Sequence, residues 1–206
     1  MKFYNDKSYE NLNLEKLRIN IQNSIASKFT SFSSTAVFDN SLLDQVYLEH
    51  YLSHLSYSKG KSKREFYKRA LSLDDIQDNT RFVPNMQYYF WEYCFAVNGN
   101  PNLLFVLGNS TTFKTNKLSY NSNNPQKYFI FKMYSEFPFV ENEVLIGQFV
   151  NDVKEKIQLI EESIREFNSQ IDEINFSLKH FSETEFLKEK AKRDFRDDNL
   201  DKLSSF

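Results

Sequence analysis

The chain has 206 residues, 40% of them apolar and 17% aromatic, which excludes a disordered polymer and allows one good core or two small ones. Its net charge of −2 argues against wholesale nucleic-acid binding and leaves room only for a local basic patch. Four glycines and four prolines are few, and favour long regular elements over a sandwich of many turns.

Taken from the start, Met1-Lys2-Phe3-Tyr4-Asn5-Asp6 lacks the apolar run of a signal peptide. Residues 8 to 29 read as a helix, because Leu14, Leu17, Ile21, Ile25 and Phe29 recur every three or four positions, with Asn11 or Asn13 as its cap. The Ser/Thr-rich stretch from Thr30 to Thr35 reads as a loop. A second helix is expected from Ser41 or Leu42 to about Tyr57, capped by Ser41, with Leu43, Val46, Tyr47, His50, Tyr51, His54 and Leu55 on one face. The basic run Lys59, Lys61, Lys63, Arg64, Lys68 and Arg69 follows, relieved only by Glu65. It is expected to be a loop and short helix with Phe66, Tyr67, Ala70 and Leu71 turned inward. Asp74, Asp75, Asp78 and Asn79 mark a polar connection.

Gln87 to Val97 is apolar at nearly every position and bounded by turn residues, as in a strand covered on both faces. Its Cys94 is the one cysteine, which rules out an intrachain disulfide and a cysteine-based metal site and reads as a buried thiol in a reducing, cytoplasmic setting. Leu103 to Leu107, Thr111 to Thr115 and Lys117 to Tyr120 are further strand candidates. After the loop Asn121 to Pro125, Lys127 to Tyr134 is another. Together they make a small, mostly antiparallel sheet.

After Pro138 the chain turns helical. Val150, Val153, Ile157, Ile160, Ile164, Phe167, Ile171, Ile174, Leu178 and Phe181 alternate in steps of three and four, the heptad pattern of a helix that buries one narrow seam. At 1.5 Å per residue the seam is roughly 48 Å long. The flanking Lys154, Lys156, Glu161, Ser163, Asn168, Gln170, Asn175 and Ser177 are too neutral for a simple two-stranded zipper, and Leu159 and Phe176 add apolar surface outside the seam. The reading is packing within the chain, with surplus length for self-association or a protein partner. Ser182-Glu183-Thr184-Glu185 matches a capping box and is expected to end the rod and begin a last helix.

No catalytic constellation, cofactor site or metal site emerges. The four glycines form neither a phosphate loop nor a nucleophile elbow. His50 and His54 stand four apart without a third ligand, and read as structural histidines. No segment approaches the ~20 apolar residues of a membrane span. An Asn, Lys, Phe and Ile bias suggests an AT-rich bacterial or viral coding sequence. The fold expected is α+β, with helices over 1–80, an aromatic-rich sheet over 81–138, and a long helix plus a short one over 139–206, integrated into one domain.

The stretch Ala96-Val97-Asn98-Gly99-Asn100-Pro101-Asn102-Leu103-Leu104-Phe105, continuing to Ser110-Thr111-Thr112-Phe113, resembles the N-terminal region of certain bacterial multidomain defence proteins. In that group a strand, a Gly-x-Pro turn and a Ser-Thr-x-Phe strand precede a long helix whose core holds an Arg and a Phe-Asn pair. Ile164-Arg165-Glu166-Phe167-Asn168 is the counterpart here. A restriction-endonuclease-like or other effector domain then follows in those proteins. The group carries a basic pair about three turns after the Phe-Asn. Lys179-His180 stands nearest here, an extra capped segment follows, and residues 1–80 do not match. The resemblance, over about 87–206, implies a non-catalytic sensing or assembly module in bacterial or phage defence. The function expected is thus a non-enzymatic protein-interaction module acting through the seam, with nucleic-acid binding through the basic run as the alternative.

Overall fold

A computed structural model describes residues 13–33, 36–71, 86–121 and 128–205, without the side chains of 59–64, 121 and 140. The expected helix start at 8–12 with Asn11 as a possible cap, the end of the Thr30–Thr35 loop, the polar connection at 74–79 and residues 122–125 of the next loop lie outside the described residues. The chain is α+β as expected, and divides into two compact units: residues 1–53 with 168–206, and residues 54–167.

The first unit holds α1 (Leu14–Ser31), α2 (Asn40–His50) and the C-terminal part of the long helix α5 (Glu143–Ser204). In α1 the side chain of Asn13 accepts from the Lys16 N–H, and Leu17, Ile21, Ile25 and Phe29 form one buried face. The α2 cap is Asp39, not Ser41: its carboxylate accepts from Leu42 N–H at 3.1 Å and from the Ser41 hydroxyl at 2.6 Å, which holds it below the ordinary carboxylate range. The second helix ends at His50, well before Tyr57. Phe29, Phe38 and Phe186 pack edge and face at 5.5 to 6.3 Å, and Arg193 lies 4.2 Å over Phe38 while donating to the Phe32 and Ser33 carbonyls.

The second unit holds β1 (Ser56–Ala70), β2 (Gln87–Asn98), α3 (Pro101–Gly108), α4 (Thr111–Thr115), β3 (Leu118–Asn121), β4 (Tyr128–Ser135) and the N-terminal part of α5. The sheet is antiparallel with order β1-β2-β4-β3. Two segments expected as strands are helices. Residues 103–107 and 111–115 are helical, because Asn100 and Ser110 cap them and Pro101 sits at the first turn, where its missing N–H costs nothing. Leu103, Leu104 and Leu107 then share a helical face and are buried. Between β2 and α3, Gly99 has φ +144°, and a Cβ there would stand 2.3 Å from Leu55 Cδ2.

Helix α5 runs 62 residues without the break expected at Ser182. The Ser182 hydroxyl donates back to the Leu178 carbonyl at 2.8 Å, and Thr184 does the same to His180, so neither acts as a cap. The burial along α5 also departs from a heptad. The buried line is Ile160, Ile164, Phe167, Ile171, Asn175, Leu178, Ser182, Phe186 and Glu189. Its steps repeat every eleven residues, a period of about 3.67 that stays close to the 3.6 of a straight helix. A strict heptad drifts about 20° per repeat. Accordingly, the seam residues off the line lie toward its two ends: Val150 is 37% exposed, and Ile157, Ile174 and Phe181 are only half-buried. Asn175, beside the seam in heptad terms, is therefore within the buried line. Its amide accepts from Leu52 N–H at 3.0 Å and donates to Leu52 C=O at 2.8 Å.

Candidate nucleic-acid interface

The basic run is a strand, not a loop and helix. Residues 63–70 pair in unbroken register with β2, and that ladder overrides the weak strand propensity of Lys and Glu. Among the described strands β1 is first in the sheet order and forms an edge, where lysines also discourage pairing with a second chain. Between Ser58 and Lys63 the register shifts, so Lys59 and Lys61 lie in an irregular stretch.

Alternation along β1 sorts the run between two faces. Phe66 stands opposite Trp91, Lys68 opposite Tyr89, and Arg64 opposite Tyr93. Phe66 and Lys68 thus run beside an aromatic row. Phe66 is 58% exposed, not turned inward, and its ring stacks on Trp91 at 5.0 Å and 29°. Lys68 Nζ lies 4.7 Å over the Tyr89 ring and donates to its hydroxyl at 3.4 Å. Trp91 in turn stacks at 3.6 Å on Phe149 of α5. A cavity of about 190 Å³ opens there, lined by Trp91, Tyr93, Phe149, Val150, Val153 and Lys154.

On the opposite face, Tyr67 stacks on Phe90 at 5.1 Å and Arg69 lies 4.3 Å over Phe90. Arg69 also donates to the Ala70 carbonyl, so its charge is held against the sheet. Lys63 stands opposite Cys94, which is buried as expected. Glu92 gathers Lys132 Nζ at 3.2 Å, the Tyr67 hydroxyl at 3.1 Å and the Cys94 thiol at 3.5 Å. Burial pushes the Tyr67 phenol up. For Lys132 burial is the largest influence and acts downward, yet the attraction and hydrogen bond of Glu92 outweigh it, and the ammonium ends above its ordinary value. This is a cross-strand ion pair, directly in register between β2 and β4.

His50 is held within its own unit by two hydrogen bonds. His50 Nδ1 lies 2.7 Å from the Val46 carbonyl and must donate to it, which leaves Nε2 to accept from the Ser24 hydroxyl at 2.9 Å. Among the described residues no three His, Cys, Asp or Glu gather closely enough to hold a metal, and no helix is long and apolar enough to cross a membrane.

The cations Arg64 and Lys68 are legible in the sequence, but their strand partners Tyr93 and Tyr89, with Trp91 between them, and Lys154 of α5 at the adjoining cavity are not. Strand pairing brings the aromatic residues to β1, and no local periodicity in 59–70 announces it. Comparison with family models, with curated proteins and with solved structures finds no match, so the site stands on its own geometry.

Proposed function

We propose that the chain is a non-enzymatic binding module that holds nucleic acid on the β1–β2 ribbon. The observation that carries this is the exposed Phe66, seated between Arg64 and Lys68 and backed by the Trp91 ring. Phosphates are bound by clustered cations, and exposed rings give bases a surface to stack on. A charge of −2 overall limits the contact to this patch. In a defence setting, which the resemblance implies, such a module would act as the sensor or adaptor rather than the effector. The test is a gel shift at low salt with Lys63→Glu, Arg64→Glu and Lys68→Glu combined. The wild type should bind and the variant should lose binding by 100-fold or more, at about one decade per cation removed or reversed. A wild type that binds no nucleic acid at low salt ends this reading.

A second reading keeps a protein partner or self-association through α5, at its end instead of its seam. Six of the ten seam residues are buried in the single chain, whereas Leu187, Phe195, Leu200 and Leu203 are exposed. Exposed leucine and phenylalanine clustered on a helix end favour a protein contact. Phe195→Glu with Leu203→Glu should lower the mass measured by light scattering if copies associate there. An unchanged monomeric mass for both proteins removes self-association.

A further inference from the structure

We infer that the ribbon takes single-stranded nucleic acid, with one unpaired base stacked on Phe66 and the next seated in the cavity beside Trp91. This rests on the nucleic-acid reading above and adds the strandedness and the seat of the base. Three observations converge on it. Phe66 presents more than half of its surface to solvent although it sits in a sheet, and its ring is already braced in a stack on Trp91. Such a braced ring offers a base a flat surface without having to be ordered first. A duplex has no free base face to offer it.

The cavity shares Trp91 with that stack, so the two seats are adjacent. Its walls are the rings of Trp91, Tyr93 and Phe149 and the valines 150 and 153, apolar on most sides. At about 190 Å³ it is smaller than the ~300 Å³ at which pockets begin to enclose drug-sized ligands, which suits one planar ring and excludes a base pair. Among its lining residues Trp91, Tyr93 and Lys154 carry polar groups, and Lys154 is exposed. A cation beside an apolar slot complements a base followed by its phosphate. Lys68, two residues from Phe66, supplies the same complement at the first seat. Strand rise puts Arg64 and Lys68 about 13 Å apart with Phe66 midway, so a chain of phosphates can run along β1 past both.

Trp91 is the only tryptophan in the chain, so its fluorescence reports on the cavity directly. The titration uses the full chain with a thymidine homopolymer of about 12 nucleotides, the uridine counterpart, and the thymidine strand annealed to its adenosine complement. The inference expects either single strand to quench Trp91 and to bind at least 10-fold tighter than the duplex. Phe66→Ala should weaken single-strand binding by about 10-fold or more, the loss typical of one stacked base. Val150→Trp, at a partly exposed wall position, should fill the cavity and weaken binding with an unchanged circular dichroism spectrum. Duplex binding equal to single-strand binding, insensitive to both substitutions, would overturn the inference and leave the electrostatic reading standing. No binding to any of the three overturns both. The thymidine and uridine arms separate a DNA ligand from an RNA ligand.

Discussion

Replacing both Ile160 and Ile164 with lysine is expected to unfold the unit formed by residues 54–167. Ile160 is fully buried and Ile164 nearly so. A lysine forced into an apolar site has its pKa lowered by up to ~3–5 units from ~10.4, at ~1.4 kcal/mol per unit, and the cost stops growing once the amine is neutral, so each substitution costs about 4–5 kcal/mol at pH 7. Two such costs, about 8–10 kcal/mol, are comparable to the ~5–15 kcal/mol that holds a domain folded. Amide hydrogen exchange read on peptides from β2 and β4 should lose its protection. Val150→Lys is the control, since that side chain already meets water, and it should change stability by no more than about 0.5 kcal/mol. Wild-type protection in the double variant would contradict the burial of this line.

Asn175→Leu is the next largest effect, in the other unit. The leucine fills a similar volume but leaves both the N–H and the C=O of Leu52 without a partner in a buried site. Each orphaned group costs about 1–3 kcal/mol, so a loss of about 2–6 kcal/mol is expected in urea unfolding followed by far-ultraviolet circular dichroism. Leu52 lies just beyond the end of α2, and the clamp holds the chain there in extended form. Asn175→Asp keeps the acceptor for the Leu52 N–H but sets an oxygen against its carbonyl. It should fare no better than leucine near pH 7, and an unchanged midpoint for either variant would show that the clamp contributes nothing.

What was legible in the sequence follows from local periodicity. The α1 face, β2, β4 and the long helix all repeat within a few residues of themselves, and each was readable. At the candidate site the failure has one cause, which is that the deciding partner lies far away in the chain, whereas elsewhere a local signal was misread. Residues 63–70 become a strand only because β2 offers them a ladder. Phe66 and Tyr67, adjacent in sequence, were both expected inside, yet a strand sends neighbours to opposite faces. Residues 103–107 look like a strand by hydrophobicity, and the cap Asn100 with Pro101 is the local signal that marks a helix. Asn175 was visible as a residue beside a heptad. Eleven-residue spacing, Ile164 to Asn175 to Phe186, is the signal that puts it inside. The cations of the candidate site were legible and their aromatic backing was not, because Trp91 and Tyr93 reach β1 only through the sheet, with Lys154 of α5 at the adjoining cavity.

The β1–β2 ribbon is proposed to bind nucleic acid through a small set of phosphate contacts. Its most direct test is the fluorescence anisotropy of a labelled single strand, titrated with wild-type protein across a range of salt concentrations. Two or three phosphate contacts, from Arg64, Lys68 and Lys154, predict that log K falls against log salt with a slope of about −1.4 to −2, at roughly −0.7 per contact on a single strand. Lys68→Ala should reduce that slope by about 0.7. No binding at low salt, or an affinity that does not change with salt, would contradict the account.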